Sequence, residues 1–302
     1  MYKRIFNLNL YFAYGLGICS EFSLPELSAG KEKKDIEIKQ GKLDNFLRSI
    51  ARSDGCLYAT DSEVYHYYAD VGSFFVRQGQ EIIVDPAPNA DERLLRLYLL
   101  GRIFGALLHQ RGLLILHGSA VAVDGEAVAF LGNSGSGKST AAASLIIKGY
   151  TMVADDLVAI DASGARPIVH PAFPQLKLWP DSAESLGYNI DTMPRISPKK
   201  TKRAANLDSE FLPDALPLRR IYILEKGEPT EILLLGRKDS MIELVRYSYA
   251  KRSLAAGANR STHFLNCAKV ASSVPVCRLI RPWDLSSFGI LASKVEEDIE
   301  RE

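Results

Sequence analysis

The sequence predicts an α/β (α+β) protein, with a phosphate-loop core in its C-terminal two thirds and an antiparallel β-rich portion at its N-terminus. Three observations carry this. Residues 132–139 match G-x-x-x-x-G-K-[ST] without a mismatch, between a predicted strand and a predicted helix. The first 88 residues divide into short β-prone runs separated by glycine, proline and aspartate. Between these regions, leucine, isoleucine and phenylalanine recur at helical spacing over 89–112. The expected organisation is a β-rich portion over 1–88, a connecting helix over 89–112 and a phosphate-loop core over 113–302.

Strands are expected at 5–11, 35–38, 56–59, 65–69, 73–78 and 81–84. The first of them has a rival reading, because Lys3 and Arg4 precede an apolar stretch that resembles a signal peptide. Asn7 and Asn9 interrupt that stretch at period two, Ile18 is too large for a cleavage site, and a strand accounts for the pattern better. Asn89 or Asp91 caps the helix that follows, and Gly112 stops it. Beyond it come strands at 113–116, 119–123 and 126–131, the last two joined by Asp124-Gly125, a two-residue hairpin signal. A helix over 138–148, a Gly149 cap and a strand over 151–154 make a βαβ-like unit around the glycine-rich loop. Later strands are expected at 167–170, 221–225, 231–235 and 274–279, with helices near 182–187, 240–247, 260–272 and 284–299.

Composition narrows the function. At 302 residues, with 47% hydrophobic and 24% charged, the chain has ample material for its own core and belongs to neither the disordered nor the fibrous class. Lys plus Arg total 37 against 36 for Asp plus Glu, so no global field draws it to nucleic acid or to an anionic membrane. Cys19, Cys56, Cys267 and Cys277 form no CxxC pair, and a reduced cytoplasm suits them. No apolar run reaches the roughly 18 residues needed to span a bilayer.

The chemistry gathers at the loop. Gly132, Gly135 and Gly137 let the backbone curl so that the amides of Asn133, Ser134 and Ser136 point into one concavity, and the following helix N-terminus adds positive potential for phosphates. Lys138 would meet the β- and γ-phosphates of ATP, Ser139 would offer its hydroxyl to magnesium, and Thr140 completes the first helical turn. Asp155 and Asp156 close the next predicted strand, where one carboxylate can serve magnesium and the other can accept the proton of an attacking hydroxyl. His117, upstream, could contact phosphate or orient Asp155. Two basic clusters remain: Arg195, Lys199, Lys200, Lys202 and Arg203 in a proline-bearing loop, and Arg246, Lys251 and Arg252 beside Tyr247 and Tyr249.

Residues 132–139, followed by Lys148-Gly149-Tyr150-Thr151-Met152-Val153-Ala154-Asp155-Asp156, resemble the core of HPr kinase/phosphorylase, and His117-Gly118 matches a His-Gly in that family. The resemblance implies a core related to phosphoenolpyruvate carboxykinase. It also implies ATP and magnesium as cofactors, Asp155 as the base that activates an acceptor serine, and Asp156 on the metal side. Thr140 stands where the bifunctional enzymes carry glutamate, Tyr150-Thr151 replaces their His-Arg, and their Glu-Ile-Arg-Gly signature is replaced by the stretch from His170 to Pro180. These departures bear on HPr as substrate and on the reverse phosphorolysis. The segments 11–18, 23–27 and 173–180 resemble instead the HPr-kinase-like proteins of lasso-peptide gene clusters, which phosphorylate a serine at the end of a precursor peptide. The implied partner is a peptide or small protein bearing serine, and a homo-oligomer is compatible with the resemblance. A kinase for free serine and a non-catalytic nucleotide-binding regulatory module are the alternatives.

Overall fold

The computed structural model describes residues 8–30, 34–43, 55–249, 254, 259–284 and 287–301, the side chains of Cys56, Leu57 and Ser287 excepted. The chain divides into two compact units, one formed by residues 1–112 with 250–262 and the other by 113–249 with 263–302.

The first unit holds an eight-stranded sheet: β1 (Asn9–Ala13), β2 (Leu16–Ser20), β3 (Ser28–Ala29), β4 (Ile36–Gln40), β5 (Gly55–Ala59), β6 (Glu63–Tyr68), β7 (Gly72–Arg77) and β8 (Glu81–Pro86). β1 and β2 are joined by Tyr14-Gly15, both at positive φ, a turn whose twist suits a hairpin. The strand expected from residue 5 is described from Asn9, and residues 5–7 lie outside the described residues. The sheet is mixed. β2–β4 and β4–β8 pair in parallel and the other neighbours antiparallel.

Asp91 caps α1 (Glu92–Tyr98) by accepting from the Leu94 amide at 2.8 Å. The expected single helix is interrupted: a π-helical turn, Leu99–Ile103, separates α1 from α2 (Phe104–Gln110). Leu99, Leu100, Ile103, Phe104, Leu107 and Leu108 are all buried, as expected of a helix apolar on more than one face.

The second unit is built on a seven-stranded sheet of β9 (Leu114–Val123), β10 (Glu126–Leu131), β11 (Thr151–Asp161), β12 (Ile168–His170), β15 (Leu216–Lys226), β16 (Glu231–Leu234) and β17 (Val276–Arg281), with a separate ribbon of β13 (Gln175–Leu178) and β14 (Arg203–Asn206). The strand order is β10-β9-β11-β12-β15-β17-β16, and parallel pairing of β10 with β15 closes the first five strands on themselves. Asp124 and Gly125, both at positive φ, make the expected hairpin turn between β9 and β10.

Helices α3 (Lys138–Ile147) and α7 (Ser287–Glu300) cover the sheet. Between them, Phe130, Leu145, Tyr222, Leu279, Leu291 and Val295 form part of one core. The unit also carries α4 (Pro180–Ser185), α5 (Arg237–Arg246) and most of α6 (Arg260–Ser273). Two expectations change here. The strands expected at 113–116 and 119–123 merge into one, β9, which starts at Leu114. β11 runs on through both aspartates instead of ending at Ala154, because Leu157–Ile160 is a second apolar stretch that pairs with the start of β9. Among the described residues no helix is long and apolar enough to cross a membrane. Cys19, Cys267 and Cys277 are buried thiols with no bridge.

Candidate active site

β10 ends at Leu131, the glycine-rich loop follows, and α3 starts at Lys138. Gly132, Gly135 and Gly137 all have positive φ, so the loop takes a path that side-chain-bearing residues would resist. At Gly137 the need is also steric: a Cβ there would lie 2.6 Å from the Phe288 ring and 2.8 Å from an Arg281 nitrogen. The loop borders an open cavity of about 680 Å³ within the second unit. Ser134, Gly135, Gly137, Lys138, Ser139 and Thr140 line it, together with His117, Asp155 and Asp156. Gly132, Asn133 and Ser136 form the inner turn instead. The carbonyls of Gly132 and Asn133 accept from Lys138 Nζ at 3.1 and 3.0 Å, and the Ser136 carbonyl accepts from Arg281 at 3.2 Å. Burial, joined by the positive charge of Lys202, depresses the Lys138 ammonium to a pKa of about 8 against the opposing pull of Asp155 and Asp156.

Successive residues of a regular strand face opposite ways, yet both aspartates reach the same cavity. The backbone explains it. Asp156 has φ +66° in mid-strand, a left-handed conformation that turns its side chain back toward its neighbour's face.

The two carboxylates meet different partners. Asp155 is buried: its Oδ1 accepts from Ser139 Oγ at 2.8 Å and Ser119 Oγ at 2.6 Å, and its Oδ2 accepts from the Lys177 amide at 2.9 Å. Asp156 is half-buried, and its Oδ2 pairs with Lys177 Nζ at 2.7 Å. Burial alone would push the Asp156 carboxyl up, but the ammonium groups of Lys177 and Lys202 hold it well below the usual carboxylate range. His117 Nδ1 lies 3.1 Å from the Asp156 carbonyl, which can only accept, so the proton sits on Nδ1 and a neutral ring keeps its lone pair on Nε2. Burial and the Lys138 charge lower the His117 pKa and favour that neutral form.

Among the described residues no group of three or more His, Cys, Asp or Glu side chains could hold a metal unaided. Magnesium at a phosphate loop asks less, since the nucleotide supplies oxygens and the protein supplies one hydroxyl and one carboxylate. Ser139 and Asp155, already in contact, fit that requirement.

Sequence reasoning missed two cations. Lys177, 5% exposed, comes from the β13–β14 ribbon. Its signal was a lysine inside the alternation Gln-Leu-Lys-Leu. Arg281, at the end of β17, is stacked over Phe288 at 4.0 Å and Trp283 at 5.0 Å and fastens the loop through Ser136. Of the two basic clusters, the first reaches the cavity through Lys202. Arg246 does not line it and pairs with Glu243 at 3.1 Å, while Lys251 and Arg252 lie outside the described residues. The Tyr249 ring stands 5.9 Å from His117, and Tyr247 is buried.

Residues 112–176 match the family model of the HPr Serine kinase C-terminal domain, a segment that holds the phosphate loop, His117 and both aspartates. Over this segment the core is HPr-kinase-like. Among solved structures, the HPr(Ser) kinase/phosphatase from Coxiella burnetii is similar at 12% identity and a TM-score of 0.36, over 62% of this chain and 91% of that one. No curated protein matches the chain. Lys177, Lys202 and Arg281 all fall outside the matched segment.

Proposed function

We propose that the protein is an ATP-dependent kinase that phosphorylates a serine hydroxyl on a peptide or small protein. The observation that carries this is the pair of unlike carboxylates beside the loop: one bonded to Ser139, the other paired with a lysine and turned into the cavity by a left-handed backbone. A nucleotide switch needs the first and has no use for the second.

In this reading the loop amides and Lys138 hold the phosphates, and Ser139 with Asp155 would hold magnesium, which when bound neutralises phosphate charge. Asp155 then stands on the metal side and Asp156 is the proton acceptor, the reverse of the roles that the family resemblance implies. Asp155 favours this exchange because three donors already occupy its oxygens. Asp156 accepts the serine proton as the serine oxygen bonds to the γ-phosphorus, the bond from phosphorus to the β,γ-bridging oxygen breaks, and ADP leaves. Lys177 keeps Asp156 ionised and oriented, and His117 fixes its backbone.

The resemblance of segments 11–18, 23–27 and 173–180 to kinases of lasso-peptide clusters supports a serine at the end of a precursor peptide as acceptor. Incubation with labelled ATP and magnesium against peptides ending in serine, their amidated and one-residue-extended forms, and free serine, read by mass spectrometry, tests the whole proposal. Phosphate on the free-ended peptides, with the amidated and extended forms roughly ten- to a hundred-fold poorer, is the expected result. Equal rates on all three peptides would replace the terminal serine by an internal one, phosphate on free serine alone would make this a metabolite kinase, and no transfer at all would leave a binding module.

A further inference from the structure

The ribbon β13–β14 carries a cation to the cavity that the proposed mechanism has not used. In its register Leu178 pairs with Arg203 and Leu176 with Ala205, so continuing the ladder sets Trp179 opposite Lys202. Period two then sorts the ribbon: Leu176, Leu178 and Ala205 pack into the core, while Lys177, Trp179 and Lys202 share the other face, and these three line the cavity together with the edge of Leu178. Lys202 Nζ stands 5.8 Å over the Trp179 ring, which is 47% exposed.

Lys202 is held rather than trailing from a loose loop. Its carbonyl accepts from the Ile196 amide at 3.1 Å, and the next turn of the hairpin is closed by Ala204 donating to Pro194 at 2.9 Å. Among the described residues its ammonium has no carboxylate partner, whereas Lys177 is already paired with Asp156. Among the described residues the cavity is lined by four cations, Lys138, Lys177, Lys202 and Arg281, against three carboxylates, Asp155, Asp156 and Asp284. Its surplus charge is positive.

We propose that Lys202 is a γ-phosphate contact of this chain, placed by the ribbon on the cavity that Lys138 and Asp156 also line, so that it meets the nucleoside triphosphate and not the diphosphate. The proposal rests on the kinase reading of the same cavity. Lys202, Lys138 and Asp156 line the same cavity, so one charge faces both the cation that would meet the phosphates and the carboxylate that would meet the acceptor. A cation that faces both is placed for the group in transit between them.

The test is calorimetric titration of wild type, Lys202→Ala and Lys202→Arg with the β,γ-imido analogue of ATP and with ADP, each with magnesium. Lys202→Ala should bind the triphosphate analogue roughly tenfold more weakly, the loss of one charge-assisted contact, with ADP affinity unchanged and Lys202→Arg restoring most of the difference. ADP binding reports that the variant is folded. Equal losses for both nucleotides would place Lys202 at the phosphates they share, no loss for either would move it to the acceptor's side, and each result would overturn the proposal. The kinase reading fails separately, if wild type discriminates the two nucleotides through Lys202 but transfers phosphate to no acceptor.

Discussion

The loop between β10 and α3 and the ribbon β13–β14 face one cavity but meet it with different chemistry. The loop presents backbone: glycines at positive φ, amides at a helix N-terminus, and one lysine tied to two carbonyls of the loop itself. The ribbon presents side chains: Lys177, Trp179 and Lys202, sorted onto the cavity face by strand alternation. A backbone cradle recognises phosphate wherever the fold is intact, and few substitutions retune it. A side-chain wall can be altered one charge at a time. Damage to the loop should therefore abolish nucleotide handling, whereas damage to the ribbon should change what is done with a nucleotide that still binds.

The largest expected effect lies on the loop side. Lys138→Ala removes the cation at the β- and γ-phosphates without opening the core and should abolish detectable phosphoryl transfer while the far-ultraviolet circular dichroism stays native. Near-wild-type turnover would break both the comparison and the kinase reading.

Asp156→Asn comes next, where the two walls meet. The amide fills the same space and still accepts from Lys177, but it cannot take a proton, so turnover should fall by a factor on the order of 10² to 10⁴ with ATP affinity little changed. Asp155→Asn should instead raise the magnesium requirement, because it weakens the carboxylate that touches Ser139. The opposite pairing of phenotypes, in steady-state kinetics across a magnesium titration, would restore the roles that the family resemblance implies.

On the ribbon, Lys177→Met should act through pH. Lys177 holds the Asp156 carboxyl low, so under the proposed mechanism wild type keeps its base ionised well into acid. Without the ammonium the carboxyl rises toward its ordinary range, and the acid limb of the pH–rate profile should move to higher pH by roughly one unit or more. Activity is then lost at a pH where wild type still works and recovers as pH rises. An unmoved limb would remove Asp156 from the proton path.

The two walls also differ in how far they could be read from sequence. The loop is a run of eight residues whose meaning is local, so its residues and the nearby aspartates could be named in advance. Even there the strand was cut short, because two adjacent carboxylates look like a strand end, and it is the pairing of 157–160 with 114–117 that shows β11 continuing. The left-handed Asp156 that lets both carboxylates share a cavity leaves no trace in composition. On the ribbon, Leu176 and Leu178 mark Lys177 as facing away from the core, but which space that face meets depends on β14, some 25 residues later. Arg281 is further still: its partner Ser136 lies 145 residues earlier, a distance that no local pattern spans.

The smallest effect separates the two basic clusters that the sequence made equally attractive. Arg246 closes α5 with its side chain more than half exposed and paired to Glu243 at 3.1 Å, and it does not line the cavity. Removing it leaves Glu243 with Arg278, whose guanidinium lies 3.8 Å from the same carboxylate oxygen, so no buried charge is stranded. Arg246→Ala should therefore leave the catalytic efficiency of transfer unchanged and shift stability by no more than about 1 kcal/mol, the ordinary worth of an exposed ion pair. Thermal melts and steady-state assays run beside Lys202→Ala give the contrast directly. A tenfold loss of transfer in Arg246→Ala with ATP affinity intact would place acceptor recognition at the end of α5, and the ribbon would then no longer be the wall that decides what the bound nucleotide does.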